Sequence, residues 1–189
     1  MLIHTELKKG VQFLMEGQPY EVLESSTMVH GRGNSTVPSR VKNMKTGKIV
    51  PHTFHTGETF EEADISKLQM KYLYNHRGAF VFCEANNPSK RMEFTQEQLG
   101  DGIRFIKSNE VVEGLVFADE IINVAFPIKV QLKVTESPPG FKGNTVQGGT
   151  KTVKLETGTT LDVPLFVNEG DVIEINTETG EYSKRIGKE

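Results

Sequence analysis

One cysteine, Cys83, excludes an internal disulfide and suits a reducing compartment. No apolar run approaches the roughly 18 residues of a membrane-crossing helix. The opening MLIHTELKKG lacks the charged-then-apolar order of a secretion signal, so a cytoplasmic protein with no membrane partner is expected. Phosphate-binding and dinucleotide-binding glycine patterns are missing. Ser25-Ser26 has no nucleophile-elbow context and no Ser/His/Asp grouping stands out, so an enzyme is not expected. His52 and His55 are three apart on an expected strand and face opposite ways, with no cysteine pair or carboxylate cluster beside them. Neither a metal nor a cofactor is expected.

Helical periodicity is also scarce; what fills the chain is alternation. Ile128, Val130, Leu132 and Val134 alternate with Lys129, Gln131, Lys133 and Thr135, which predicts a strand with one dry face. Met70, Tyr72 and Tyr74 repeat the pattern, and Ala79–Cys83 follows across the turn Asn75-His76-Arg77-Gly78. Similar punctuation recurs at Glu16-Gly17-Gln18-Pro19, Thr46-Gly47, Asn86-Asn87-Pro88, Thr157-Gly158 and Thr179-Gly180. Helices are expected only over Glu61–Leu68 and Thr95–Leu99, the second opened by a capping box between Thr95 and Gln98. Breaks near residue 64 and at Pro127 divide an all-β chain into 1–64, 65–127 and 128–189. Pieces of that size fold marginally alone, and small barrels suit them because closure removes strand edges.

Charge is small overall, with a formal net of -3. That excludes a globally basic nucleic-acid binder. Locally the balance shifts, because no acid lies between Glu24 and Glu58, while Arg32, Arg40, Lys42, Lys45 and Lys48 do. Such a window is suited either to a phosphate backbone or simply to solvent. Inside it, His30-Gly31-Arg32-Gly33-Asn34 sets an arginine between two glycines. Glycines permit the backbone of a hairpin tip, and a guanidinium there presents a permanent, planar fork of donors to phosphates. An ordinary solvated loop is the competing reading.

The stretch VHGRGNSTVPSRVKNMKTG, Val29 through Gly47, resembles the first-domain hairpin of the elongation factor P family, with Asn43-Met44-Lys45-Thr46-Gly47 fixing the register. KTVKLETGTTLDVPLFVNEG carries a stronger likeness. Lys151, Gly158, Leu161, Val163-Pro164, Val167 and Gly170 fit the family's closing signature, with Val153 in place of alanine. The resemblance covers nearly the whole chain and is weakest over 84–125.

This resemblance implies an SH3-like, KOW-type barrel followed by two OB-fold barrels, L-shaped like transfer RNA. It implies a monomer that binds the 70S ribosome between the peptidyl and exit sites and relieves polyproline stalls. Arg32 falls on the tip position that contacts peptidyl-tRNA. In one branch of the family that arginine carries rhamnose from an arginine rhamnosyltransferase, so Arg32 is either rhamnosylated or works unmodified. Arg40, Lys42 and Lys45 belong to the same ribosome-facing set. Gly143-Asn144-Thr145 with Gly148-Gly149 fits a third-domain loop that approaches messenger RNA in the exit site, and Tyr182 and Arg185 fit closing-strand contacts. Thr36 and Pro38 depart from the family pattern; a proline cannot donate to a ladder, so Pro38 is expected at an edge or bulge. The alternatives are a paralogue with another ribosomal task and a generic OB-fold RNA binder. The latter would stack bases on aromatics such as Tyr72, Phe80, Phe82, Phe94, Phe105, Phe117 and Phe126.

Overall fold

The computed structural model describes residues 1–29, 31, 34–138 and 149–188. Strands dominate, as the alternation requires. The first unit contains β1 (Leu2–Ile3), a 3-10 turn over His4–Glu6, β2 (Gln12–Met15), β3 (Gln18–Ser25), β4 (Met28–Val29), β5 (Ser35–Asn43), β6 (Ile49–His55) and β7 (Thr59–Phe60). β5 is the central strand. It pairs with β3 over its second half, with the short β4 at its start, and with β6 along its other edge. Val37, Ser39, Val41 and Asn43 point inward, and Thr36, Pro38, Arg40 and Lys42 point outward. The core holds Leu7, Phe13, Val22, Val37, Val41 and Phe54. Phe13, Phe54 and Phe60 meet edge to face at 5.1–5.4 Å, the geometry that aromatic quadrupoles favour.

Pro38 lies in this central strand, but its nitrogen faces a gap. Its carbonyl accepts from the Ser26 amide at 3.1 Å, where β3 has ended and β4 has not begun. The donor that proline lacks would have pointed at that interruption.

The acidic stretch Glu61–Leu68 is not helical, contrary to expectation. Leu14 N donates to Glu61 O at 2.8 Å, Glu62 bridges to Phe13, and Ala63 N donates to Gln12 O at 3.2 Å. The open edge of β2 supplies ready backbone partners, whereas a one-turn helix must bear its nucleation cost alone.

Next come β8 (Ser66–His76), β9 (Ala79–Glu84), β10 (Asn87–Thr95), α1 (Gln96–Leu99), a 3-10 turn over Asp101–Phe105, β11 (Val111–Phe117) and β12 (Glu120–Ala125). The last group is β13 (Lys129–Glu136), β14 (Thr150–Leu155), β15 (Thr160–Pro164), β16 (Asp171–Asn176) and β17 (Glu181–Lys188). The two sheets run β10-β9-β8-β11-β12 and β15-β14-β13-β16-β17. Both have the order third, second, first, fourth, fifth, which is that of an OB-type barrel. The helix expected at Thr95 forms with its capping box, Gln98 N bonding Thr95 Oγ1 at 3.3 Å and Thr95 N bonding Gln98 Oε1 at 2.9 Å.

These two barrels share an apolar core: Met70, Phe82 and Phe105 from one join Leu132, Ile173 and Ile175 from the other. Thr177 Oγ1 donates to Pro127 O at 2.6 Å across the join. Val130, Leu132 and Val134 are buried as the alternation predicts, but Ile128 is 55% exposed. It precedes β13 and borders the cleft beside the first unit. A register shift between Tyr72 and Tyr74 leaves Tyr74 outside the core face.

Candidate RNA-facing site

The ladder of β4 and β5 ends at the pair Val29 and Ser35, so residues 30–34 link the two strands at the hairpin's outer end. Gly31 has open space around it, and Asn34 is exposed. His30, Arg32 and Gly33 lie outside the described residues. Neither side chain of β4 is buried, Met28 being 51% and Val29 81% exposed. The root at Ser35 is tied down instead. Thr56 Oγ1 accepts from Ser35 N at 2.9 Å and donates to Ser35 O at 2.8 Å, and the Ser35 hydroxyl meets His4 Nε2 at 2.6 Å.

At the other end of β5, nine residues and about 30 Å away at strand rise, the turn Asn43–Gly47 docks on the second unit. Asn43 is buried, and its Oδ1 accepts from the amides of Lys45 and Thr46 at 3.0 Å each. Gly47 has φ +77°, and a side chain there would overlap the Glu97 carbonyl and lie 2.8 Å from that of Gln98. Gln98 Nε2 donates to Lys45 O at 3.3 Å, and Asn123 Nδ2 to Met44 O at 2.9 Å. A single strand therefore joins the tip to the interdomain junction.

Three cations of the basic window face acids from outside it. Arg40 lies 3.4 Å from Glu24, Lys45 lies 4.0 Å from Glu120, and Lys42 opposes Glu21 across the ladder. Burial raises the Glu21 carboxyl above its ordinary 4.5; Lys42 opposes the rise, and Glu178 adds to it. Cross-strand register produces the Arg40–Glu24 and Lys42–Glu21 pairings, and docking of the Asn43–Gly47 turn produces that of Lys45 with Glu120, none of which the run of like charge along the sequence discloses. The exposed pairs among them contribute little stability.

Of the third-domain candidates, Gly143, Asn144, Thr145 and Gly148 lie outside the described residues, and Gly149 is half-buried beside β14. Tyr182 packs against the shared core. Arg185 stands over the Phe166 ring at 5.5 Å and within 3.5 Å of Asp171. Asp171 is fully buried, accepts from Asn168 N at 2.9 Å, and keeps Oδ1 without a partner. Sequence reasoning missed Phe166 and Asp171, although the first stands inside the closing signature and the second directly after it. Ser137 Oγ donates to Val167 O at 3.3 Å, so the end of β13 and the Phe166–Arg185 pair share one end of the barrel.

Of the aromatics that a base-stacking surface would need, Tyr72, Phe80, Phe82, Phe94 and Phe105 are buried, while Phe117 and Phe126 are half-buried. Cys83 is buried. His52 packs on Phe54 at 4.7 Å while His55 is exposed on the other face. Among the described residues, no group of three or more histidine, cysteine or acidic side chains is placed to hold a metal. No helix among them is long and apolar enough to cross a membrane.

Known proteins match this arrangement from end to end. Residues 4–60 match the family described as "Elongation factor P (EF-P) KOW-like domain", and residues 130–185 match "Elongation factor P, C-terminal". The chain is 37% identical over 186 residues to "Elongation factor P" of Carboxydothermus hydrogenoformans, covering 98% of this chain and 100% of that one. It is 39% identical over 185 residues to the protein of the same name from Symbiobacterium thermophilum, with 98% and 100% covered. For the one from Thermodesulfovibrio yellowstonii the identity is 34% over 186 residues, with 98% and 99% covered. With barrels, hairpin and junction turn all falling within matches of this extent, the chain belongs to the elongation factor P family.

Proposed function

We propose that this protein is a cytoplasmic translation elongation factor that binds the 70S ribosome between the peptidyl and exit sites and speeds peptide-bond formation at runs of proline. The observation that carries this reading is β5, which spans from the Arg32 hairpin to a junction locked by Asn43, Gly47 and Asn123. The root of that hairpin at Ser35 is thereby held at a set distance from the junction.

The reaction needs no catalytic group from the factor. Proline is a poor partner because its ring fixes φ and its nitrogen is substituted. Clamping peptidyl-tRNA removes orientational freedom before the transition state is reached, while the ribosome supplies the reaction centre. Arg32 contributes charge-assisted contacts to the tRNA end, each worth about 1.5–3 kcal/mol. It does so either with a rhamnose added by an arginine rhamnosyltransferase or unmodified; intact mass of the protein from its native host decides between these. At the far end, Gly143-Asn144-Thr145 with Gly148-Gly149 approaches messenger RNA, and Tyr182 and Arg185 add ribosome contacts. The protein acts as a monomer.

A generic single-strand RNA binder is the second reading, and the buried barrel aromatics weigh against it. An electron-microscopy structure of the factor on a ribosome stalled at consecutive prolines tests the proposal. Density between the peptidyl and exit sites, hairpin toward the acceptor end, is expected. Binding elsewhere, or affinity for free RNA equal to that for ribosomes, contradicts it.

A further inference from the structure

We infer that His4, Ser35 and Thr56 form a clasp that holds the tip hairpin in its working position, with His4 and Thr56 acting as positioning residues. This rests on the translation reading and adds residues outside the tip to it.

Three segments distant in sequence meet at the clasp. Ser35 is the first residue of β5 and the C-terminal root of the tip. Thr56 brackets it with one hydroxyl, accepting from its amide at 2.9 Å and donating to its carbonyl at 2.8 Å. Its single proton is committed to the Ser35 carbonyl, so any further bond to that oxygen must be one it accepts. The Ser35 hydroxyl then turns to His4 Nε2 at 2.6 Å, which also lies 3.4 Å from Thr56 Oγ1. His4 is 7% exposed, and the turn that presents it is closed by Ile3 N donating to Glu6 Oε2 at 2.8 Å. The turn presenting Thr56 is closed in the same manner, by His55 N donating to Glu58 Oε2 at 2.7 Å. Both arms are thus held before they grip Ser35.

The need for such a device follows from the hairpin's other side. β4 has two residues, both exposed, and the ladder beside Pro38 is interrupted. Packing does not secure the N-terminal root, so side-chain bonds at the C-terminal root take over. His4 Nδ1 is buried with no partner. A buried ring nitrogen left unpaired costs free energy, which fits a histidine retained for the contact its other nitrogen makes.

Removing the Thr56 hydroxyl while keeping its branched shape isolates the effect. In Thr56→Val, the backbone amide of Met28, which pairs with Thr36 and which the substitution does not touch, is expected to exchange hydrogen faster by about fivefold or more. Amides of β8–β12 should be unchanged, and Thr56→Ser should restore the native rates. On ribosomes stalled at three prolines, Thr56→Val should lower the saturating rate of bond formation by about fivefold. The concentration giving half of that rate should hold within about twofold, since the other barrels still bind. Unchanged exchange at the hairpin overturns the clasp. Faster exchange with an undiminished saturating rate overturns its positioning role. If the unaltered protein fails to relieve the stall, the translation reading falls, and the exchange measurement still decides the clasp.

Discussion

Asn123 reaches from β12 into the first unit: its Nδ2 donates to the Met44 carbonyl at 2.9 Å and to the Gln98 carbonyl at 2.9 Å, while its Oδ1 accepts from Val124 N at 2.8 Å. One amide thereby satisfies two carbonyls from two units. Asn123→Ala leaves both without that donor at a site where Asn123 is 3% exposed. A loss of about 2–4 kcal/mol is expected. Chemical denaturation measures it, and a loss below about 1 kcal/mol would show that water replaces the amide.

Gly47 makes the complementary test from the other side. Its left-handed backbone alone penalises a side chain by roughly 1–2 kcal/mol. The Glu97 and Gln98 carbonyls leave a Cβ no room. Gly47→Ala should therefore part the first unit from the fused barrels, so that a single thermal transition splits in two by calorimetry. A single transition with a small shift would contradict the close approach.

Acid should weaken the third barrel through Glu174. Burial opposes the charge of this 8% exposed carboxylate, but hydrogen bonds from Lys129 and Ser183, together with the charges of Lys129 and Lys184, outweigh it and hold its carboxyl below the ordinary 4.5. A depressed folded value means the native state binds fewer protons than the unfolded one. The stabilisation is therefore complete above about pH 4.5 and is lost as pH falls through the folded value. Glu174→Gln should be less stable than the parent at neutral pH, with the gap narrowing below that point in denaturant midpoints.

Glu21 has the opposite sign. Burial first, with Glu178 adding, raises its carboxyl above 4.5 against the pull of Lys42. Ionised, it destabilises the fold, and stability falls as pH rises through its raised value. Glu21→Gln should raise Tm at pH 7, and the gain should vanish below about pH 4.5. A lower Tm at pH 7 would mean that the Lys42 attraction dominates.

Strand positions were legible because alternation is local: Val130, Leu132 and Val134 reveal their dry face to anyone counting by two. The capping box at Thr95 was legible for the same reason. Partners across distance were not. Nothing near Asn123 in sequence announces Met44, and nothing near Gly47 announces α1. The expected helix at Glu61–Leu68 gave way because the open edge of β2 lies some 50 residues earlier in the chain. Likewise the basic window read as uniform until register set Glu24 beside Arg40 and Glu21 beside Lys42. Phe166 was in view within the signature and Asp171 directly after it, but only the fold brings Arg185 to them.

A reporter encoding three consecutive prolines, translated in vitro with factor purified from its native host, is the most direct measurement of what the tip does. Addition of the protein should relieve the stall. Arg32→Ala, folded to the same midpoint, should leave most of the stall in place. Full relief by Arg32→Ala, or none by the native protein, would contradict the assignment of a working cation to the end of β5.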